Sequence, residues 1–314
     1  MGFISELFGY LLNWLYDIFN NYGIAILIFS VVLRIILIPI TIKQQKSMKK
    51  SAKLQTEMSE IQKKYKNNPE KLNQETIELY KREKMSPFSG CLSSVLQLII
   101  ILSVFWLVSQ PLTYMKKIDK DLIEKYSTEM KESGYNSNNS YVQIATIDYA
   151  ETKYQEITKQ LEQDEVENRE ELVKKQEEYN KLRLNMNFLG IDLSKVPTQS
   201  LNDWRVYVIP ILYVLTSIIS IKITTSTQKN KQNKDIVVSE NEKNNEEEVD
   251  PTEQMQQMSK SMMYMMPAMS VMIAIIAPLG LALYWLMSNI LMIIERLIIN
   301  KFMKKDDEEE SSNG

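Results

Sequence analysis

The 314-residue sequence contains no histidine and a single cysteine, Cys91. Without imidazole there is no histidine general base and no Ser-His-Asp triad. One thiol excludes an internal disulfide and a Cys/His metal cluster, so no cofactor is expected. No GxxxxGK[ST] phosphate-binding loop occurs either. The first 23 residues hold no lysine or arginine, so a signal peptide is not expected, and no cysteine near the start offers a lipidation site. The net charge of −3 is uninformative because the charges are unevenly placed. The classes removed are mostly enzymes.

What is present is apolar sequence gathered into blocks, separated by Lys/Glu/Asn-rich stretches. A helix needs about 17–25 apolar residues to cross the hydrocarbon core, and several blocks reach that length. The expected fold is an all-α integral membrane protein with five spans, at 23–42, 88–111, 204–224, 261–278 and 279–299. Residues 1–22 place Phe3, Leu7, Leu11, Trp14 and Ile18 at helical spacing. They read as an amphipathic helix lying in the interface, or else as the start of the first span. Lys43, Lys46, Lys49, Lys50 and Lys53 follow the first span directly. The positive-inside rule then puts the N-terminus outside the cell membrane and Lys43 in the cytoplasm. Lys301, Lys304 and Lys305 place the C-terminal segment 300–314, an acidic tail, on the cytoplasmic side.

Between the spans, residues 43–87 carry Leu54, Met58, Ile61 and Tyr65 in one stripe and Leu72, Thr76, Leu79 and Tyr80 in another, broken at Asn67-Asn68-Pro69. This predicts an antiparallel helical hairpin sealed along its stripes, with basic outer faces that include Lys46, Lys49, Lys50, Lys53, Lys81 and Arg82. Residues 112–203 form a long charged loop, helical over 145–185 and broken at 136–140; it reads as a solvated spacer or as a binding domain. Residues 225–260 form a polar cytoplasmic loop, unstructured over 226–253.

Arg34 is the residue that apolar spans do not explain. It lies about eight residues, or roughly 12 Å, from the inner end of its span. An intramembrane arginine costs about 2.5–3.5 kcal/mol on insertion scales, so it requires water or a partner. Two environments fit. One is a water-filled groove open to the cytoplasm, with Ser30 on the same helical face and Gln97 and Asn289 in other spans. The other is a packing role, with Arg34 bound to backbone carbonyls or to Glu295, for which Arg296 competes.

Several segments, in order, resemble the YidC family of membrane protein insertases. They are Leu33 to Ser47 (LRIILIPITIKQQKS), Gly90-Cys91-Leu92 with Gln97, and Asn187 to Leu193 (NFLGIDL). Met262 to Pro267 (MMYMMP) and Pro278 to Trp285 (PLGLALYW) with Asn289 complete the set. The resemblance implies a five-span core around a hydrophilic groove open to cytoplasm and lipid. In it Arg34 attracts polar or acidic segments of an incoming chain, and Ser30, Gln97, Tyr284, Trp285 and Asn289 line the walls. It implies nascent membrane proteins as clients within the lipid bilayer, no direct nucleic-acid binding and no enzymatic reaction. The ribosome and the signal recognition particle receptor are candidate partners at the hairpin, and the Sec translocon is a further candidate partner.

Four features depart from the family pattern: Ser86, Ser93, Ser220, and the acidic run Asp306 to Glu310 where ribosome-binding relatives carry a basic tail. The methionines at 255–272 suit variable apolar clients or simply face lipid. Two readings from other classes compete: a small-anion transporter or channel using Arg34 as its binding charge, and an assembly scaffold. The first calls for internal repeats or broken spans, which the sequence does not display.

Overall fold

The structure is a computed structural model that describes residues 2–66, 68–83, 89–135, 141–163, 168–235 and 272–312. The described chain is helical apart from one two-residue β-hairpin and its connections. Among the described residues three helices are long and apolar enough to cross a membrane: Tyr22–Gln44, Trp204–Ile223 and Leu279–Ile299, with a shorter apolar stretch at Leu98–Ser109. The protein is an all-helical membrane protein.

Helix α2 (Tyr22–Lys64) is the spine. It runs 43 residues, about 64 Å at 1.5 Å per residue. Pro39 sits inside it; proline has no N–H, so the Ile35 carbonyl loses its helical donor there. Asn21 caps the start, its side chain accepting from Ile24 N at 3.1 Å. At the far end α3 (Pro69–Arg82) folds back along α2, capped by Asn68 with Pro69 in the first turn. Leu54 and Leu79 are buried in that region. The Tyr65 hydroxyl donates to Glu75 at 3.2 Å, and Arg82 pairs with Glu57.

Helix α1 (Gly2–Phe19) packs on α2 and on α4 (Ser89–Ser109). Its inner face holds Ser5, Gly9, Leu12, Leu15 and Tyr16, while Phe3, Leu7, Tyr10, Trp14 and Ile18 are exposed. Ser5 donates to the Ser103 carbonyl of α4 at 3.0 Å.

The segment 185–207 ties the helix starts together. Tyr22 N donates to Asn185 O at 2.9 Å, Leu279 N to Lys195 O at 2.9 Å, and Gly280 N to Leu193 O at 3.0 Å. Helix N-termini leave N–H groups without intrahelical partners, and leaving them so in lipid costs several kcal/mol each. This strap satisfies three of them. Within it β1 (Asn187–Phe188) pairs with β2 (Ile191–Asp192) around Leu189-Gly190, both at positive φ, the pattern of a two-residue type I′ hairpin turn. Arg205 donates to Gly190 O at 3.2 Å, bringing the start of α9 (Val208–Asp235) to the same end. So α2, α9 and α10 (Leu279–Ser312) all leave the strap in one sense. Helix α4 runs the other way, its Val108 carbonyl accepting from the Tyr22 hydroxyl at 3.4 Å.

Between α4 and the strap lie the short α5 (Pro111–Tyr114), α6 (Lys120–Glu132), α7 (Val142–Leu161) and α8 (Arg169–Leu182). Their charged composition hides a core of Tyr126, Met130, Ile147, Tyr149, Tyr179 and Leu182. The hydroxyls of Tyr149 and Tyr179 both donate to Glu129, and the Tyr126 and Tyr179 rings sit 4.7 Å apart. Residues 136–140 lie outside the described residues.

Several expected boundaries move. The first span and the helix after it are one continuous α2. Helix α9 continues to Asp235, through residues 226–235 that the composition marks as unstructured. Helix α10 continues past Ile299 to Ser312, through most of the acidic tail. The cause is the same at each: extending an existing helix needs far less free energy than nucleating one, so a change to polar sequence marks a change of solvent without ending the helix. Most of the fourth expected span, the loop at 236–260 and most of the methionine patch lie outside the described residues; 272–276 is helical.

Two predictions follow from this packing. A Cβ at Gly9 would sit 1.8 Å from the Tyr114 carbonyl oxygen, whereas one at Gly2 would have nothing within 4 Å. Gly9→Ala is therefore expected to push α1 off α5 and cost about 1–3 kcal/mol, read as a lower thermal midpoint in detergent, with Gly2→Ala unchanged. Burial raises the Asp148 carboxyl above its usual range, opposed by the Tyr135 hydroxyl that donates to it at 2.8 Å. The folded state then holds this proton more tightly than the unfolded chain. Its contribution to stability grows as pH falls from neutral through the raised pKa and levels off below the ordinary carboxyl value. Unfolding curves against pH should show that slope weakened in Asp148→Asn.

Candidate functional site

The lone intramembrane arginine has a carboxylate partner. Arg34 Nε contacts Glu295 Oε2 across the α2–α10 packing, with side-chain exposures of 18% and 7%. Of the partners considered from the sequence, the structure brings Glu295 to Arg34. The strap explains why the pair meets. Tyr22 and Leu279 begin their helices at one level, so Arg34 lies about 18 Å and Glu295 about 24 Å along parallel helices at 1.5 Å per residue. A roughly 6 Å offset is within reach of an arginine side chain.

The pair is not a well-bonded fork. Among the described residues, Arg34 Nε and both Glu295 oxygens are buried with no partner in hydrogen-bonding geometry. A bidentate arginine–carboxylate pair would make two parallel N–H···O bonds. At an effective dielectric of about 20, two unit charges near 4 Å attract by about 4 kcal/mol, against a desolvation cost of several kcal/mol per ion. Arg296, next on α10, interacts electrostatically with both members. A second guanidinium thus lies within electrostatic reach of the pair.

The other expected residues fall into three groups. Ser30 is buried one turn before Arg34, its hydroxyl donating to the Ile26 carbonyl at 2.7 Å. Tyr284 is buried near enough to Arg34 to feel its charge, and its hydroxyl interacts with Ser288. Trp285 is half-buried beside it. Asn289 faces a different helix: its Nδ2 donates to Thr216 Oγ1 and Ser217 Oγ, each at 3.1 Å, joining α10 to α9. For Gln97, Lys46, Lys49, Lys50 and Lys53 the backbone is helical, but the side chains lie outside the described ones. Lys81 is exposed on α3, near Arg82.

Thr216 and Ser217 were missed by sequence reasoning, although two adjacent hydroxyls inside an apolar span, with Ser220 a turn on, are the signal. No cluster of three or more His, Cys, Asp or Glu among the described residues could hold a metal. A cleft of about 800 Å³ lies elsewhere, between the end of α1, α7, α8 and the strap. Within it Arg183 pairs with Glu151, and both Lys195 and Arg205 pair with Asp203.

Comparison with known proteins agrees with this architecture. A family model described as 60Kd inner membrane protein matches residues 14–307. The "Membrane protein insertase YidC" of Caldanaerobacter subterraneus subsp. tengcongensis is 43% identical over 105 residues, 33% of this chain and 51% of the relative. The protein of the same name from Fusobacterium nucleatum is 41% identical over 102 residues, 32% of this chain and 50% of the relative. That of Clostridium perfringens is 42% identical over 108 residues, 33% and 42% of the two chains. The chain thus spans about half the length, or less, of these relatives.

The Asn289 bridge yields a prediction. Asn289→Ala leaves two hydroxyls without their donor and is expected to cost about 0.6–1.7 kcal/mol, the range for hydrogen bonds between membrane helices. A fall in thermal midpoint that Asn289→Gln partly recovers would identify the bridge; no change for Ala would remove it.

Proposed function

We propose that this chain, which belongs to the 60Kd inner membrane protein family, inserts and folds nascent membrane proteins. Clients enter by a hydrophilic groove open to the cytoplasm and to lipid. The observation that carries the reading is Arg34: a partly buried guanidinium deep in an apolar helix, in contact with a single under-bonded carboxylate. Carrying a polar segment through intact lipid leaves its charges and peptide groups unsatisfied, at several kcal/mol each. A polar recess reaching partway across shortens that barrier, and a cation within it attracts the Asp or Glu of the segment. Partition of the client's apolar stretch into lipid drives the step, so no nucleotide is required.

Five spans with the N-terminus outside and the C-terminus in the cytoplasm complete this reading. Its support is the shared sense of α2, α9 and α10 and the opposite sense of α4, which ask for a returning segment between α9 and α10. On that topology the α2–α3 hairpin is cytoplasmic, and its Lys46, Lys49, Lys50, Lys53, Lys81 and Arg82 receive clients. The ribosome, the signal recognition particle receptor and the Sec translocon are proposed contacts there.

Insertion of a single-span client bearing one Asp in its translocated segment is the test. Arg34→Ala should lower the yield about tenfold, equivalent to about 1.4 kcal/mol of lost attraction, and Arg34→Lys should restore part of it. A client with Asn at that position should be little affected. Wild-type insertion of the acidic client by Arg34→Ala refutes the charge role.

A further inference from the structure

Resting on that reading, we propose that Glu295 is an internal stand-in for the client's acid: it holds the Arg34 charge in the resting protein and yields it to an incoming carboxylate. Three observations carry this. First, Glu295 is 7% exposed and touches Arg34, yet neither of its oxygens is in hydrogen-bonding geometry with any described residue. A carboxylate built in for packing alone would be expected to have its oxygens satisfied, because an under-bonded buried ion is costly. Second, the contact uses Nε, one nitrogen of a five-donor guanidinium, so the arginine keeps capacity for another acceptor. Third, Arg296 interacts electrostatically with both residues, so Glu295 released from Arg34 stays beside a cation and is not stranded in the apolar layer.

The exchange is one carboxylate for another at the same cation. The resting protein avoids a bare guanidinium in lipid, and in the loaded protein Arg34 faces the client's acid while Glu295 stays beside Arg296. The internal acid also sets selectivity: a client must offer a carboxylate able to compete with one already in place, whereas a neutral polar segment gains nothing from the exchange.

If the resting pair is closed about nine-tenths of the time, only about a tenth of the protein is competent, and removing the competitor raises apparent affinity about tenfold. The experiment uses the full-length protein in proteoliposomes, with the Asp and Asn clients and limiting insertase. Glu295→Gln should insert the Asp client up to about tenfold faster at low client concentration, leave the Asn client unchanged, and lose its advantage when combined with Arg34→Ala. A Glu295→Gln protein of wild-type thermal midpoint that inserts the Asp client no faster, or speeds both clients equally, overturns the proposal. Should Glu295→Gln fail to fold, Glu295→Asp decides. Its shorter side chain weakens the contact but keeps the charge, so faster insertion of the Asp client supports the stand-in role. Slower insertion, or failure of both variants to fold, makes Glu295 a structural counter-ion and overturns it. Normal insertion by Arg34→Ala alone would instead bring down the reading under Proposed function, and the two failures are thereby told apart.

Discussion

A guanidinium deep inside an apolar helix has few stable fates: it draws in water, finds an anion, or draws its helix out of the membrane. Here Arg34 finds Glu295 on a neighbouring helix, and the strength of that contact governs both the packing of α2 on α10 and the chemistry available between them. Were the pair a fully bonded fork, it would be a fixed rivet. With one nitrogen in contact and both oxygens otherwise under-bonded, it lies nearer to balance, since attraction of a few kcal/mol is set against a desolvation cost of similar size.

That contact depends in turn on the strap at the opposite end of the helices. Backbone carbonyls of Asn185, Leu193 and Lys195 accept from the first amides of α2 and α10, fixing both helix starts at one level. Helical rise then determines the depth of every residue on the two helices, and Arg34 and Glu295 arrive within side-chain reach. The same carbonyls remove unsatisfied donors from the membrane boundary. One segment of irregular backbone thus terminates two helices and sets the register of the site.

The sequence made three apolar membrane helices and the anomaly of Arg34 legible, because each depends on composition over windows of helical length. Glu295 was visible too, as one of two possible partners. A depth counted from the inner end of a span, where the composition changes at Lys43 and Lys301, has no shared origin, because the helices run on unbroken past those points. Counting from Tyr22 and Leu279 supplies one, but only hydrogen bonds between distant segments reveal that those residues are level. The core of α6–α8 escaped notice for a different reason: its tyrosines are dispersed among charged residues and meet only when three helices fold together.

The two polar contacts of α10 show how a membrane helix can be held and still offer a reactive group. Asn289 gives two hydrogen bonds to Thr216 and Ser217 on α9, a neutral bridge in ordinary geometry. A neutral client group that displaced it would replace bonds already made, with little gain. Glu295, less than two turns further along, holds α2 by charge without such bonds. An anion entering there exchanges like for like at the cation, and any hydrogen bond it makes to the guanidinium is gained. The α9–α10 contact is thus a neutral, hydrogen-bonded bridge, while the α2–α10 contact is a charge pair. On the proposed function, this asymmetry favours α2 against α10, rather than α9 against α10, as the seam for an acidic segment.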